Sequence, residues 1–260
     1  MSDILRIDLN SDLGESFGNY KIGMDEEVIP HVTSVNVACG YHAGDPMVME
    51  KTVRMALQHG TAIGAHPSFP DLQGFGRRDM KLTREEAYTF VKYQLGALYA
   101  FVKSAGGELQ HLKAHGALYN MAGRDIEMAM ALAQAIRDFD SQMLLLGLPN
   151  SKMEEAAGEL GIGYVSEFFA DRAYNDDGSL VNRKLEGSVI HDGDIACQRV
   201  LRMVRDHEVV TYTGNILKLN CKSVCVHGDN EAAVAFVRKI RDELKKENVE
   251  AANMKKVLGR

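Results

Sequence analysis

Thr61-Ala62-Ile63-Gly64-Ala65-His66-Pro67 opens a stretch that continues through Thr83-Arg84-Glu85-Glu86 and Gly106-Gly107 to Leu109-Gln110-His111-Leu112-Lys113-Ala114-His115, and its order of signals decides the fold. Thr61 to Ala65 is a short apolar run, as a buried strand requires. Thr83 with Glu86 three residues later forms a capping box, so a long helix begins there, and Gly106-Gly107 stops it. Leu109 to Ala114 then returns to strand character. Strand, long helix and strand make one βαβ unit with parallel strands.

The same alternation recurs outward in both directions. Ile4 to Leu9 and Ser34 to Ala38 predict two earlier strands. Asp45-Pro46 opens a helix with Met49, Val53, Ala56 and Leu57 on one face and Gly60 beyond its end. Downstream, an Ala/Met-rich helix runs to about Phe139, and Gln142 to Leu146 predicts a strand. Ser151 with Glu154 caps the next helix, which Gly161 ends, and Tyr164 to Phe168 follows as a strand. Val209 to Tyr212 and Ser223 to Val226 are further strand candidates, before a final helix with Ala233, Val237, Ile240 and Leu244 on one face. About seven parallel strands without a linker predict a single closed or nearly closed (β/α) barrel domain over residues 1–260. A doubly wound sheet is the rival, but neither a P-loop nor a dinucleotide glycine motif follows the first strand.

Composition narrows the function classes. The chain has 260 residues, 45% of them hydrophobic and 25% charged, which suffices for a large core. A net charge of −6 offers no basic footprint for nucleic acid. No apolar run approaches membrane-spanning length, and the N-terminus carries charges too closely spaced for a signal peptide. Four cysteines without a disulfide framework point to a reducing, cytoplasmic compartment.

In a βα barrel the chemistry gathers at the carboxyl ends of the strands. Asp8, Asn10 and Asp12 share one face of the first strand and its extension. His42 follows the second strand and His66 the third. Lys113 and His115 alternate at the end of the fourth, and His227 follows the last, within Val226-His227-Gly228-Asp229. A lysine at a buried strand end needs a carboxylate partner, and Asp12 is the candidate. Asp45 reads as a helix cap and Cys39 as a packed thiol. His31, His59, His111 and His207 lie near helix ends or strand starts and receive no role. Two loops, Pro67 to Leu82 and about Ala170 to Asp192, are long enough to be lids or binding segments. These features alone predict a polar active site, with metal-assisted hydrolysis among the chemistries open to it.

The segments Asp8 to Glu15, Asn36 to Asp45, Gly64 to Asp71, Gly74-Phe75-Gly76-Arg77-Arg78, Lys113 to Tyr119, and Phe169 to Tyr174 with Asp177 to Val181 and Arg183 resemble the LamB/YcsF family. The family is similar in fold to the irregular barrels of the polysaccharide-deacetylase superfamily. The resemblance implies ATP-dependent opening of 5-oxoproline to glutamate, performed as the A component of 5-oxoprolinase together with partner subunits B and C. It makes ATP a co-substrate, and with no Walker motif in this chain a partner subunit is a candidate for binding it. Under that reading Asp12 is the general base, and Lys113 and His115 stabilise an oxyanion or phosphoryl group. Asn10, His42, His66 and His227 line the substrate site, and Arg172 and Arg183 pair with the substrate carboxylate. Deacetylases hold a divalent metal through one Asp and two His from a single short motif. Here the histidines come from different strands, and the set for a metal, if one is bound, is Asp12, His42 and His66. A stand-alone metal-dependent amide or carbohydrate deacetylase and a non-catalytic binding subunit are the alternatives. Association of the chain with copies of itself is left open.

Overall fold

The computed structural model describes residues 4–227 and 231–260. Gly228 and Asp229, expected with Val226 and His227 where the last strand ends, lie outside the described residues. The strands are β1 (Leu5–Leu13), β2 (Ser34–Ala38), β3 (Ala62–His66), β4 (Leu109–Leu112), β5 (Leu144–Gly147), β6 (Gly163–Phe169), β7 (Glu208–Val210), β8 (Ile216–Lys218), β9 (Ser223–Cys225) and β10 (Val249–Ala251). Helices α1 (Asp25–Val28), α2 (Pro46–Gln58), α3 (Arg84–Ser104), α4 (Gly116–Arg124), α5 (Ile126–Asp140), α6 (Lys152–Leu160), α7 (Gly193–Asp206), α8 (Glu231–Lys246) and α9 (Met254–Val257) alternate with them. No helix among the described residues is long and apolar enough to cross a membrane.

Seven parallel strands pair in the order β1-β2-β3-β4-β5-β6-β9, and β9 pairs with β1 to close the barrel. The expected (β/α) barrel is therefore the observed one. The capping box at Thr83 and the Asp45 cap are both present, Asp45 accepting from Val48 N at 2.9 Å. Val209–Tyr212 is not a barrel strand: β7 pairs antiparallel with β8 in a separate two-stranded sheet. The Ala/Met-rich helix is two helices, because the Asp125 carboxylate accepts from Glu127 N and starts α5 afresh. Ser151 occupies the cap position of α6 without a side-chain capping bond; its hydroxyl instead meets Tyr164 Oη at 3.2 Å. Nor is α8 the last element, since β10 pairs with the first residues of β1 and α9 follows.

The strands are buried on both faces, but the faces differ in chemistry. Val35, Val37, Ile63, Leu112, Leu145, Phe168 and Val224 are fully buried and belong to the main apolar core between barrel and helices. The residues between them point the other way, into the barrel. There the register sets Asp12 beside Asn36, Asn36 beside Gly64, Gly64 beside His111, and Glu167 beside Ser223. A Cβ at Gly64 would collide with the His111 ring, so the absent side chain makes room for that imidazole. The barrel interior is thus lined on this side by polar groups that must satisfy one another.

Candidate active site

Asp8 lies deepest in that lining. Its Oδ1 accepts from Ser34 Oγ (2.6 Å) and Thr33 Oγ1 (2.8 Å), and its Oδ2 from Ser223 Oγ (2.5 Å). Burial raises its pKa to about 6, against the pull of the three hydroxyl donors. The layer above is centred on Lys113, whose ammonium reaches Glu167 Oε2 (2.9 Å), Asp12 Oδ1 (3.1 Å), Cys225 Sγ (3.2 Å) and Asn10 Oδ1 (3.3 Å). Asn36 ties the layer together by donating to both Asn10 Oδ1 and Asp12 Oδ1 at 2.8 Å, while its own Oδ1 meets His111 Nε2 at 2.6 Å. Burial works against the Lys113 charge, yet Asp12, Cys225 and Glu167 overcome it and hold its pKa well above the usual lysine value. Burial likewise works to raise Asp12, but the coulombic pull of His66 and Lys113 keeps that carboxyl well below the ordinary range. Asp12 and Lys113 are an ionised pair at neutral pH.

Above them, three histidines and Glu15 form a compact cluster. His66 Nδ1 lies 2.8 Å from Lys113 O and His115 Nε2 2.9 Å from Phe75 O. Carbonyl oxygens only accept, so those two ring nitrogens carry the protons. The opposite nitrogens, His66 Nε2 and His115 Nδ1, face each other at 3.0 Å. Asp12 Oδ2 is 3.4 Å from His66 Nε2, and Glu15 Oε1 is 3.1 Å from His42 Nε2 and 3.5 Å from His115 Nδ1. The His42 and His115 rings stack with centroids 3.8 Å apart. Burial first, then the neighbouring imidazoles, pushes the pKa of His42 and of His115 well below the usual histidine value. Burial also raises that of Glu15, with His115 and His66 opposing.

The expected site residues Asp12, Lys113, His115, Asn10, His42 and His66 therefore converge, and the anticipated Asp12–Lys113 pair is formed. His227 stands beside them: with Asp12 and Cys225 it forms a group whose ligand atoms lie within 4.8 Å, and its Nδ1 is 2.7 Å from Asp171 Oδ2. Arg172 is placed differently from Arg183. Its buried guanidinium donates to Val181 O (2.6 Å) and Ser188 O (3.4 Å), tying the loop after β6 to itself. Arg183 is exposed on that loop, and its charge is felt at Asp171 and His227. Sequence reasoning assigned no role to Glu15, Glu167, His111, Asp171 or Arg77. Arg77 sits with its guanidinium 5.0 Å from the Phe75 ring centre, and its charge reaches Glu15 and His42. The parity of His111 with Lys113 and His115 was the available signal for His111. Cys39 is a buried free thiol whose pKa burial pushes up to about 12, consistent with packing alone.

The model of the LamB/YcsF family matches residues 7–259. The chain belongs to the LamB/YcsF family. It is 56% identical over 247 residues to the A component of 5-oxoprolinase from Campylobacter jejuni, covering 95% of this chain and 97% of that protein. The corresponding 5-oxoprolinase component of Alkaliphilus metalliredigens is 55% identical over 253 residues, 97% of this chain and 99% of that one. Among solved structures, the lactam utilization protein from Thermus thermophilus superposes with a TM-score of 0.91 at 44% identity, over 95% of this chain and 99% of that chain. The peptidoglycan deacetylase PdaC from Bacillus subtilis gives a TM-score of 0.52 at 9% identity, over 99% and 91% of the two chains, a likeness of fold alone.

Proposed function

We propose that the chain is the A component of a 5-oxoprolinase and opens the five-membered lactam of 5-oxoproline to glutamate, with ATP as co-substrate and partner subunits B and C. The observation that carries the reading is the ionised Asp12–Lys113 pair at the mouth of a barrel whose full-length relatives bear that name. A lactam carbonyl resists water. Phosphorylating its oxygen makes the ring carbon electrophilic: water adds there, and the C–N bond breaks with a proton passing to nitrogen. Hydrolysis of the resulting acyl phosphate yields glutamate and phosphate and supplies the driving force. A partner subunit binds the nucleotide in this reading, since the chain has no Walker motif.

Within the barrel, Asp12 Oδ1 is committed to Asn36 and Lys113, and in this reading Oδ2, beside His66 Nε2 at 3.4 Å, holds the attacking water. A carboxylate whose pKa is kept this low is a weak base, so much of its contribution is orientation. The Lys113 ammonium, fixed between Asp12 and Glu167, stabilises negative charge developing on the carbonyl or phosphoryl oxygen. Asn10 fixes Lys113, and His42, His66, His115 and His227 complete the polar wall. In this reading Arg183 and Arg77 receive the substrate carboxylate, supported by the charge of Arg183 at Asp171 and the position of Arg77 over Phe75, while Arg172 supports the loop that carries Arg183. A divalent ion, if bound, would sit among these histidines and supply Lewis-acid polarisation of a carbonyl or water oxygen.

The test is glutamate release from 5-oxoproline with ATP, by the chain alone and then with its partner subunits. ATP-dependent release in the full mixture is expected, falling at least ~100-fold with Asp12→Asn. No release in the full mixture would overturn the reading. Metal-dependent release of acetate from acetylated sugars by the chain alone would replace it with a deacetylase.

A further inference from the structure

We infer that Glu15, His66 and His115 form a divalent metal site, with His42 holding the Glu15 carboxylate. His66 spends its Nδ1 proton on Lys113 O, and His115 its Nε2 proton on Phe75 O. Both inward nitrogens are then lone pairs only 3.0 Å apart in a buried setting, a repulsive contact unless a cation lies between them.

A shared proton would serve two nitrogens, but the surroundings supply more than two donors. Glu15 Oε1 is 3.5 Å from His115 Nδ1, and the ligand atoms of Glu15, His42, His66 and His115 all lie within 4.8 Å of one another. Metal–ligand bonds of about 2.0–2.1 Å in a tetrahedral shell place ligand atoms about 3.3–3.4 Å apart, close to the separations found here. His42 lies parallel to His115, so the two rings cannot both point in-plane lone pairs at one ion. His42 Nε2 reaches Glu15 instead, and its buried Nδ1 has no hydrogen-bond partner.

The backbone carbonyls that fix the tautomers of His66 and His115 are the outer support that metal-bound histidines usually have. Two imidazoles and a carboxylate suit zinc or another first-row divalent ion. This ligand set differs from Asp12, His42 and His66: Asp12 Oδ2 lies 3.4 Å from His66 Nε2, but the ligand atoms that all lie within 4.8 Å of one another are those of Glu15, His42, His66 and His115.

The test is metal content, which is independent of whether the chain opens a lactam. Chelator-stripped protein is dialysed against zinc or cobalt(II), and bound metal is counted by mass spectrometry. One ion per chain is expected, with cobalt d–d bands of a four- or five-coordinate site and a raised melting temperature. His66→Ala, His115→Ala and Glu15→Gln should each lower affinity at least ~10-fold, while His59→Ala, at the exposed end of α2, should leave binding unchanged. Because melting of the stripped variants reports folding separately, a misfolded variant is recognised as such, and Glu15→Gln, which preserves shape, then decides. Failure of the wild-type chain to hold zinc, cobalt, manganese or nickel at micromolar levels would overturn the inference and leave a shared proton between the two imidazoles. Binding that survives all three substitutions, being adventitious, would overturn it too.

Discussion

At the scale of single residues, the barrel interior concentrates its electrostatics on Lys113 and Asp8. Lys113→Met would leave Asp12 and Glu167 as buried carboxylates without their common counter-charge. Breaking a buried pair in this way costs about 3–5 kcal/mol. We expect a lower urea midpoint at pH 7.5, with part of the loss recovered in Lys113→Met/Glu167→Gln, because the second change removes one stranded charge. Equal stability of wild type and single variant would show the ammonium to be dispensable. Asp8 behaves oppositely, since burial has raised its pKa from 3.8 to about 6. A carboxyl raised on folding stabilises the protein fully below the unfolded value, and that contribution is lost as pH rises through the folded one. Asp8→Asn, which does not titrate, should therefore gain on the wild type between about pH 4 and pH 6, by roughly 3 kcal/mol for a shift of this size. Urea midpoints at four pH values check it, and a pH-independent difference between the two proteins would contradict the assignment.

At the scale of elements, the loop from β3 to α3 is clamped onto the histidines. Phe75 offers its carbonyl to His115, and Gly76 follows at φ +62. A Cβ on Gly76 would press on Ser68 Oγ, His42 Cβ and the His115 ring. Gly18 has a similar positive φ of +52 but open space around it. Gly18→Ala should then cost only the backbone conformation, about 1 kcal/mol. Gly76→Ala should cost more, about 1–3 kcal/mol, and disturb turnover as well. Melting temperatures and glutamate release for the two variants separate these cases, and equal effects would mean that the loop does not bear on the site. Neighbouring elements also show what the sequence could reveal. The βαβ rhythm, the capping box at Thr83 and the Asp45 cap were legible because each depends on residues close in the chain. β1 was expected to end at Leu9 because Asn10, Ser11 and Asp12 are polar, yet it runs to Leu13. The partners of Asn10 and Asp12, among them Ser223 and Asn36, come from strands distant in sequence, and no local pattern announces a hydrogen bond across a barrel. Glu167 and Glu15 were missed for the same reason. Asp12 and Lys113 could be paired in advance because a buried lysine demands a carboxylate, whereas a glutamate at a loop start ordinarily needs nothing but water.

At the scale of the whole molecule, the two ends of the barrel divide their tasks. The carboxyl ends of the strands carry the charged cluster. At the opposite end, β10 lies beside Leu5–Ile7, and α9 brings Met254 against Leu144, Leu146 and Val165 in a small core of its own. His111 is in register with Leu144, so these aliphatic side chains face the barrel interior below Glu167, the polar group that β6 contributes nearer its carboxyl end. Met254 therefore seals the amino-terminal end of the barrel with dispersion and burial rather than hydrogen bonds. Met254→Ala should leave a cavity and cost about 2–5 kcal/mol. For a chain of this length each kcal/mol lowers the melting temperature by about 2–4 °C. Metal content and glutamate release at 25 °C should meanwhile stay at wild-type levels, because Asp12, Lys113 and the histidines draw their contacts from the other end. Calorimetry beside a turnover assay checks both halves of the expectation. A variant that keeps its melting temperature but loses turnover would mean that packing at the sealed end sets the geometry of the mouth, and the barrel would then have to be treated as one coupled unit.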